Sequence, residues 1–371
     1  MQIKEKKVSL FELFSDLIYV YAISRMTLLI EHPEGGIIPG ATLFSYLIVS
    51  LVVLQAWLYM TNYVNRYGTW QWHEYLLASI NLTATVYVSN TISPEWSTMQ
   101  LPFNIGMLVM LLGVATLYLI RILQGHEDTG AARNSLLIIS IVCLVYVAAI
   151  MAVICGAAQA VIWLDILAVL TGAFLPFFIR GKFDIGIISY PHLVERFELL
   201  TIITFGEGIV GMTEYFDVSR LTIEPLLVFG ILLTLYGSYV VQIHNMMEHH
   251  RQDRGLRLMF SHYAIVIAIN LITVALKLAD KTSMNQIYLA AMMTSALWLY
   301  FVTVMVNARG NKPQYQLGCR WLVAPAGLLV VGSIALFFVP GNTVAFLAVT
   351  FVISALLFGY YEYLSRAAKP Q

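Results

Sequence analysis

Apolar runs of about 20 residues or more recur along the whole of this chain, and each is long enough to cross a bilayer. No single soluble core can bury so many. Of the 371 residues, 59% are apolar and 11% charged, with mean hydropathy +0.78, whereas a soluble domain carries about 25% charged residues. The pattern predicts an all-α, multi-pass integral membrane protein. Net charge is zero, which gives no reason to expect a nucleic-acid partner. Cys143, Cys155 and Cys319 show no zinc-like spacing, and the first two fall on one predicted helix. The first apolar run is acidic and lacks a small-residue cleavage site, so no cleavable signal peptide is expected.

Twelve spans are predicted, at about 9–30, 39–63, 72–92, 102–123, 134–154, 157–179, 191–213, 222–246, 258–278, 284–307, 317–338 and 342–363. The connectors are short and rich in Gly, Pro or charge, as "EHPEGG" and "HHRQDRG" illustrate. Sixteen of the 21 basic residues fall on one set of alternate connectors and the termini, among them Lys4, Arg180, Lys182, Arg320 and Lys369. Only Arg220, Lys277 and Lys281 fall on the other set, and Arg25 and Arg196 lie within spans. Basic loops stay cytoplasmic, so both termini are expected inside.

The two halves of the chain resemble each other. "SLFELFSDLIYVYAISRMTLL" aligns with "HLVERFELLTIITFGEGIVGM", matching Glu12 with Glu195 and Phe14 with Phe197. Span three opens "HEYLLASIN" and span nine "HYAIVIAIN", pairing His73 and Asn81 with His262 and Asn270. This predicts two parallel six-helix repeats, 1–183 and 184–371, about an axis along the membrane normal.

Ionisable groups inside a bilayer tend to face protein or water and to mark function. Glu12 and Asp16 share one helix face, and His73 is predicted at similar depth, with Asn81 about 12 Å deeper at 1.5 Å per residue. Glu195, Glu198 and His262 repeat that layout, with Asn270 deeper. Two acid–histidine layers near the cytoplasmic face are thus expected. Further out, Arg25 is expected to face Glu207, flanked by Gly206 and Gly208, across the pseudo-two-fold. Plainer roles stand beside these. Glu12 and Glu195 can cap helices, Arg25 and Glu207 can form a structural ion pair, and the asparagines can tie helices together. Trp57, Tyr59, Asn62, Tyr63, Asn65 and Arg66 read as an aromatic interfacial belt. Asp165 stands alone, with no partner to name. A metal site on His192, Glu195 and Glu198 would need a second Glu-x-x-His pair that the chain lacks. A haem between His73 and His262 and a retinal on Lys277 are weaker still. No cofactor is expected, and no nucleotide loop, catalytic triad or HExxH is present.

The paired motifs carry a family resemblance. "SLFELFSDLIYVYAIS" and "HLVERFELLTIITFGEGIV" resemble the bacterial low temperature requirement A family, as do "AWLYMTNYVNRYG" and "YAIVIAINLI". The positions carried over are Glu12, Phe14, Asp16, His192, Glu195, Arg196, Phe197, Gly206, Glu207 and His262. One departure is that Tyr239, Val240 and Val241 stand where the family commonly carries Y-F-D. A shorter likeness, over Phe14, Ser15, Asp16 and Asn81, is to the FSD-motif potassium channels. In the second half Phe197 keeps the Phe, but Glu198 and Leu199 replace the Ser-Asp. The family's name records a cold-growth phenotype, not an activity. The family resemblance implies the bacterial inner (plasma) membrane. The two repeats, the ionisable residues within spans and the shorter likeness together lead to the expectation of an ion channel or a carrier for a cation, proton or small solute in contact with membrane lipid, with a homodimer allowed. The alternative is an intramembrane enzyme or lipid-binding accessory protein of cold adaptation.

Overall fold

The computed structural model describes residues 5–125, 129–179, 185–216, 222–316 and 318–367, without the side chains of Glu214, Cys319 and Arg320. Lys4, Arg180, Lys182, Arg220 and Lys369, used above for orientation, lie outside the described residues, as does the Arg320 side chain. Among the described residues there is no β-strand, only isolated bridges at Glu34–Ile37 and Met247–Asn311.

The α-helices are α1 (Leu10–Thr27), α2 (Gly40–Tyr67), α3 (Trp72–Thr91), α4 (Trp96–Leu123), α5 (Thr129–Ile154) and α6 (Val161–Phe178). They continue with α7 (Tyr190–Gly211), α8 (Glu224–Tyr239), α9 (Leu256–Leu278), α10 (Gln286–Asn307), α11 (Val323–Phe337) and α12 (Thr343–Ala367). Among the described residues, nine helical stretches are long and apolar enough to cross a membrane. Three helices at predicted spans are not among them: α3, α7 and the shorter α11. Helices suit this setting because they satisfy every backbone polar group within one segment. Large apolar side chains such as Leu112, Leu144, Phe174, Leu233 and Val331 point outward, as expected where lipid is the solvent.

Most helix bounds fall near those predicted, and the differences have local causes. α4 starts at Trp96, not 102, and runs on through Pro102, although a proline in a helix interior forfeits one hydrogen bond. "TGAARN" starts α5 and is not a loop. α8 passes into a π-helix over Val240–Met246, within the segment where the family motif is broken.

The chain forms two compact units. The first holds Met1–Leu29, Gly40–Arg196 and His250–Gly255; the second holds Ile30–Pro39, Phe197–His249 and Leu256–Gln371. In the first, α3 packs on α1 and α4, α5 on α4 and α6, and α2 on α1, α4 and α6. In the second, α9 packs on α10, α12 on α8 and α11, and α10 on α11.

Candidate functional site

The site is built from two helix starts in the first unit. Ser9 caps α1: its hydroxyl accepts from the Glu12 N–H at 3.3 Å, and Glu12 Oε2 accepts from the Ser9 N–H at 2.8 Å. This capping box sets where α1 begins and fixes the first carboxylate. One turn on, Asp16 lies on the same face. At the start of α7, His192 and Arg196 also stand four apart. An acid pair on one helix thus meets a basic pair on another.

Their geometry is tight. His192 Nε2 lies 2.8 Å from Glu12 Oε1, and Arg196 Nη1 donates to that same oxygen at 2.9 Å. The guanidinium then grips Asp16 with two donors, Nη2 to Oδ1 at 2.6 Å and Nε to Oδ2 at 3.1 Å. That fork is the strong form of a carboxylate–arginine contact. Trp57 Nε1 donates to Asp16 Oδ1 at 2.8 Å, and its ring lies 5.6 Å below the guanidinium. All four ionisable residues are buried, Asp16 and His192 completely.

Asn65 fixes the protonation pattern. Its Oδ1 accepts from the Ser189 N–H at 3.2 Å, and its Nδ2 donates to the Ser189 carbonyl at 2.8 Å. Those bonds orient the amide, so the remaining Nδ2 hydrogen points at His192 Nδ1, 3.0 Å away. Nδ1 must accept, and Nε2 carries the proton toward Glu12. Two carboxylates, one guanidinium and one imidazole are thus enclosed together.

The predicted site residues divide clearly. Glu12, Asp16, His192 and Arg196 are brought together, with Ser15 buried alongside them on α1. His73 is not brought to the acids. It is half-buried and its ring meets Trp72 edge-on, while the next residue, Glu74, turns inward to cap α3 and accept from Tyr63. The histidine layer expected from His73 is supplied by His192. Glu195 is exposed on α7 between the two inward-facing basic residues, so the layer expected from Glu195 and His262 does not form. His262 is held within the second unit. Its Nδ1 donates to the Leu258 carbonyl at 2.7 Å, Tyr239 donates to its Nε2 at 2.8 Å, and Phe197 packs on its ring. Phe14 is 54% exposed and faces away from the acids. Asn81 is an interhelical tie, accepting from Tyr19 and donating to the Met110 carbonyl. Asn270 is buried with Nδ2 unpartnered. Arg25 in the first unit is half-buried with its Nε unpartnered; Glu207 in the second is half-buried, as is Gly206. Glu198 meets His244 at 3.1 Å, so the His192–Glu195–Glu198 metal motif does not converge.

Sequence reasoning missed Trp57 and Asn65, which it assigned to an aromatic belt. Both are buried and both bond into the cluster. The missed signal was a period of four: Trp57, Thr61 and Asn65 form one polar stripe along α2.

The family model described as bacterial low temperature requirement A protein matches residues 7–358. No curated protein matches the chain. The chain belongs to the bacterial low temperature requirement A family.

Proposed function

We propose that this member of the low temperature requirement A family moves a cation or small solute across the membrane, with the Glu12–Asp16–His192–Arg196 cluster as its proton-coupled gate. The observation that carries the reading is the burial of two carboxylates, a guanidinium and an imidazole in one contact network. A buried charged cluster is costly to desolvate and is weak evidence of a role in stability alone. It becomes useful where a cation or a proton is to be attracted. Asn65 ties His192 to the Ser189 backbone just before α7, so a change of charge in the cluster would be felt at the start of α7. A local charge change would thereby bias a structural element, the requirement for a switch. In this reading the twelve helices are twelve crossings in two six-helix repeats, with both termini cytoplasmic in the plasma membrane. Arg25 and Glu207 remain candidates for an outer gate.

The test is flux into proteoliposomes under potassium and sodium gradients, with a proton-sensitive dye, for wild type and Asp16→Asn. That substitution removes one of the two carboxylates but leaves Arg196 paired with Glu12, so the protein should still elute as a single folded species. Cation-dependent flux lost in the variant supports the gate. Wild-type vesicles silent to potassium, sodium and protons would sink it.

A second reading has its own observation. In the second unit a cavity of about 670 Å³ is lined by residues of α10, α11 and the segment between them, among them Trp298, Val302, Arg309, Tyr315 and Trp321. An apolar cleft with a cation in its lining suits an acyl chain and an anionic headgroup, as a lipid-binding accessory protein would need. Phospholipid identified by mass spectrometry after purification, and lost in Arg309→Ala, would favour it.

A further inference from the structure

Asp165 sits in α6, within an apolar stretch long enough to cross the membrane, and is completely buried. It takes no part in the cluster described above. Among the described residues no lysine, arginine or histidine forms an ion pair with it, and neither carboxylate oxygen receives a hydrogen bond of acceptable geometry. Tyr146 of α5 is close enough to feel its charge yet does not donate to it.

What lies beside Asp165 is a side-chain amide. The Asn104 side chain of α4 is its neighbour and is also completely buried. Asn104 Nδ2 is committed to the Gln100 carbonyl at 2.9 Å, which fixes the amide orientation. Its Oδ1 therefore faces away from that carbonyl, and it accepts nothing. Gln100, one turn earlier on the same face of α4, is buried with its Oε1 also unmatched. Two carboxylate oxygens and two amide oxygens, on helices that both pack against α2 and α5, lack donors inside one bundle. Buried polar groups in folded proteins almost always have partners, so a concentration of unmatched acceptors requires an explanation.

We infer that Asp165, Asn104 and Gln100 form a binding site for a small monovalent cation. The chemistry of the oxygens selects the class. Carboxylate and amide oxygens are hard ligands suited to alkali and alkaline-earth ions, not to soft transition metals. A single carboxylate balances one positive charge; a divalent ion would leave a net charge in a region of low dielectric. One cation accepts electron density from several oxygens at once, which no single hydrogen-bond donor does. The site lies wholly within the first unit and does not depend on the gate proposed above.

The test uses full-length protein in lipid nanodiscs. Its thermal unfolding midpoint is followed against sodium, lithium and potassium chloride, with choline chloride holding the ionic strength constant. A ligand that binds only the folded state raises the midpoint in a saturable way. Wild type should show a saturable, cation-selective rise. Asp165→Asn should lose it, and Asn104→Ala should shift half-saturation to higher concentration. Asp16→Asn should keep it, which separates this site from the gate. A midpoint identical in all four salts would overturn the inference, as would a saturable rise that survives in Asp165→Asn. A rise that follows pH and ignores cation identity would assign the oxygens to a proton and overturn it too. If Asp165→Asn fails to fold, Asn104→Ala decides, and an unchanged half-saturation sinks the proposal.

Discussion

Arg196 makes three hydrogen bonds to Glu12 and Asp16 and lies over the Trp57 ring. Two carboxylates depend on it. Removing one partner of a buried ion pair costs about 3–5 kcal/mol, because the charge left behind has no water to return to. Arg196→Ala should therefore lower stability by about that much, read as loss of monodisperse protein or a depressed unfolding midpoint in detergent. Arg196→Lys keeps the charge but cannot reproduce the fork on Asp16, so it should fall between the two. An alanine variant as stable as wild type would show that the pairing contributes nothing. This arrangement also explains what could be read beforehand. Glu12 and Asp16 were recognisable from their spacing alone, since i and i+4 share a face. Their partner was not. Arg196 lies between two glutamates, and the repeat alignment drew attention to the acids because Glu195 matches Glu12 in register. Only tertiary packing shows that Glu195 faces outward and Arg196 inward. Asn65 was hidden for a similar reason: aromatics ending in an arginine look like an interface, and the four-residue polar stripe within them is weaker than that pattern.

At the scale of helices, small residues decide how closely neighbours approach. In lipid there is no hydrophobic drive between helices, so close packing carries much of the association. A Cβ added at Gly172 of α6 would collide with the Tyr59 hydroxyl of α2 and crowd Gln55. Tyr59 is itself buried, and its ring cannot easily swing aside. Gly172→Val should thus cost about 1–3 kcal/mol through overpacking. A Cβ at Gly206 of α7 meets nothing within 4 Å, so Gly206→Ala should be tolerated or gain slightly from helix propensity. Thermal melts of the two variants side by side test this, and equal effects would remove the packing argument. Gly206 stands out in the sequence because it flanks Glu207. Gly172 had drawn no attention, because a glycine in an apolar run looks the same from sequence whether it faces lipid or a tyrosine.

For the whole molecule, the topology turns on whether α3, α7 and α11 cross the bilayer as the nine longer apolar stretches can. α3 is the informative case. Its 20 residues reach about 30 Å at 1.5 Å per residue, enough for a hydrocarbon core. Polar residues, among them His73, Glu74, Ser79, Asn81 and Thr83, lower its apolar character. Two of these are spoken for within the first unit, Glu74 by the α3 cap and Tyr63, Asn81 by Tyr19 and Met110, so their polarity need not face lipid. The chain carries its own reporter. Cys155 follows directly on α5, is exposed, and has no disulfide, while Cys143 is buried. If the N-terminus is cytoplasmic and α3 crosses, five crossings precede Cys155 and it faces outward. If α3 does not cross, four precede it and it faces the cytoplasm. In a Cys319→Ser background, a membrane-impermeant maleimide added to intact spheroplasts should label Cys155 without permeabilisation. A C-terminal tag should stay protected from external protease, as an even number of crossings demands. Labelling of Cys155 only after permeabilisation, with the N-terminus independently placed inside, would remove α3 from the membrane. It would also end the parallel six-plus-six symmetry, because a half with five crossings cannot superpose on its partner without inverting it.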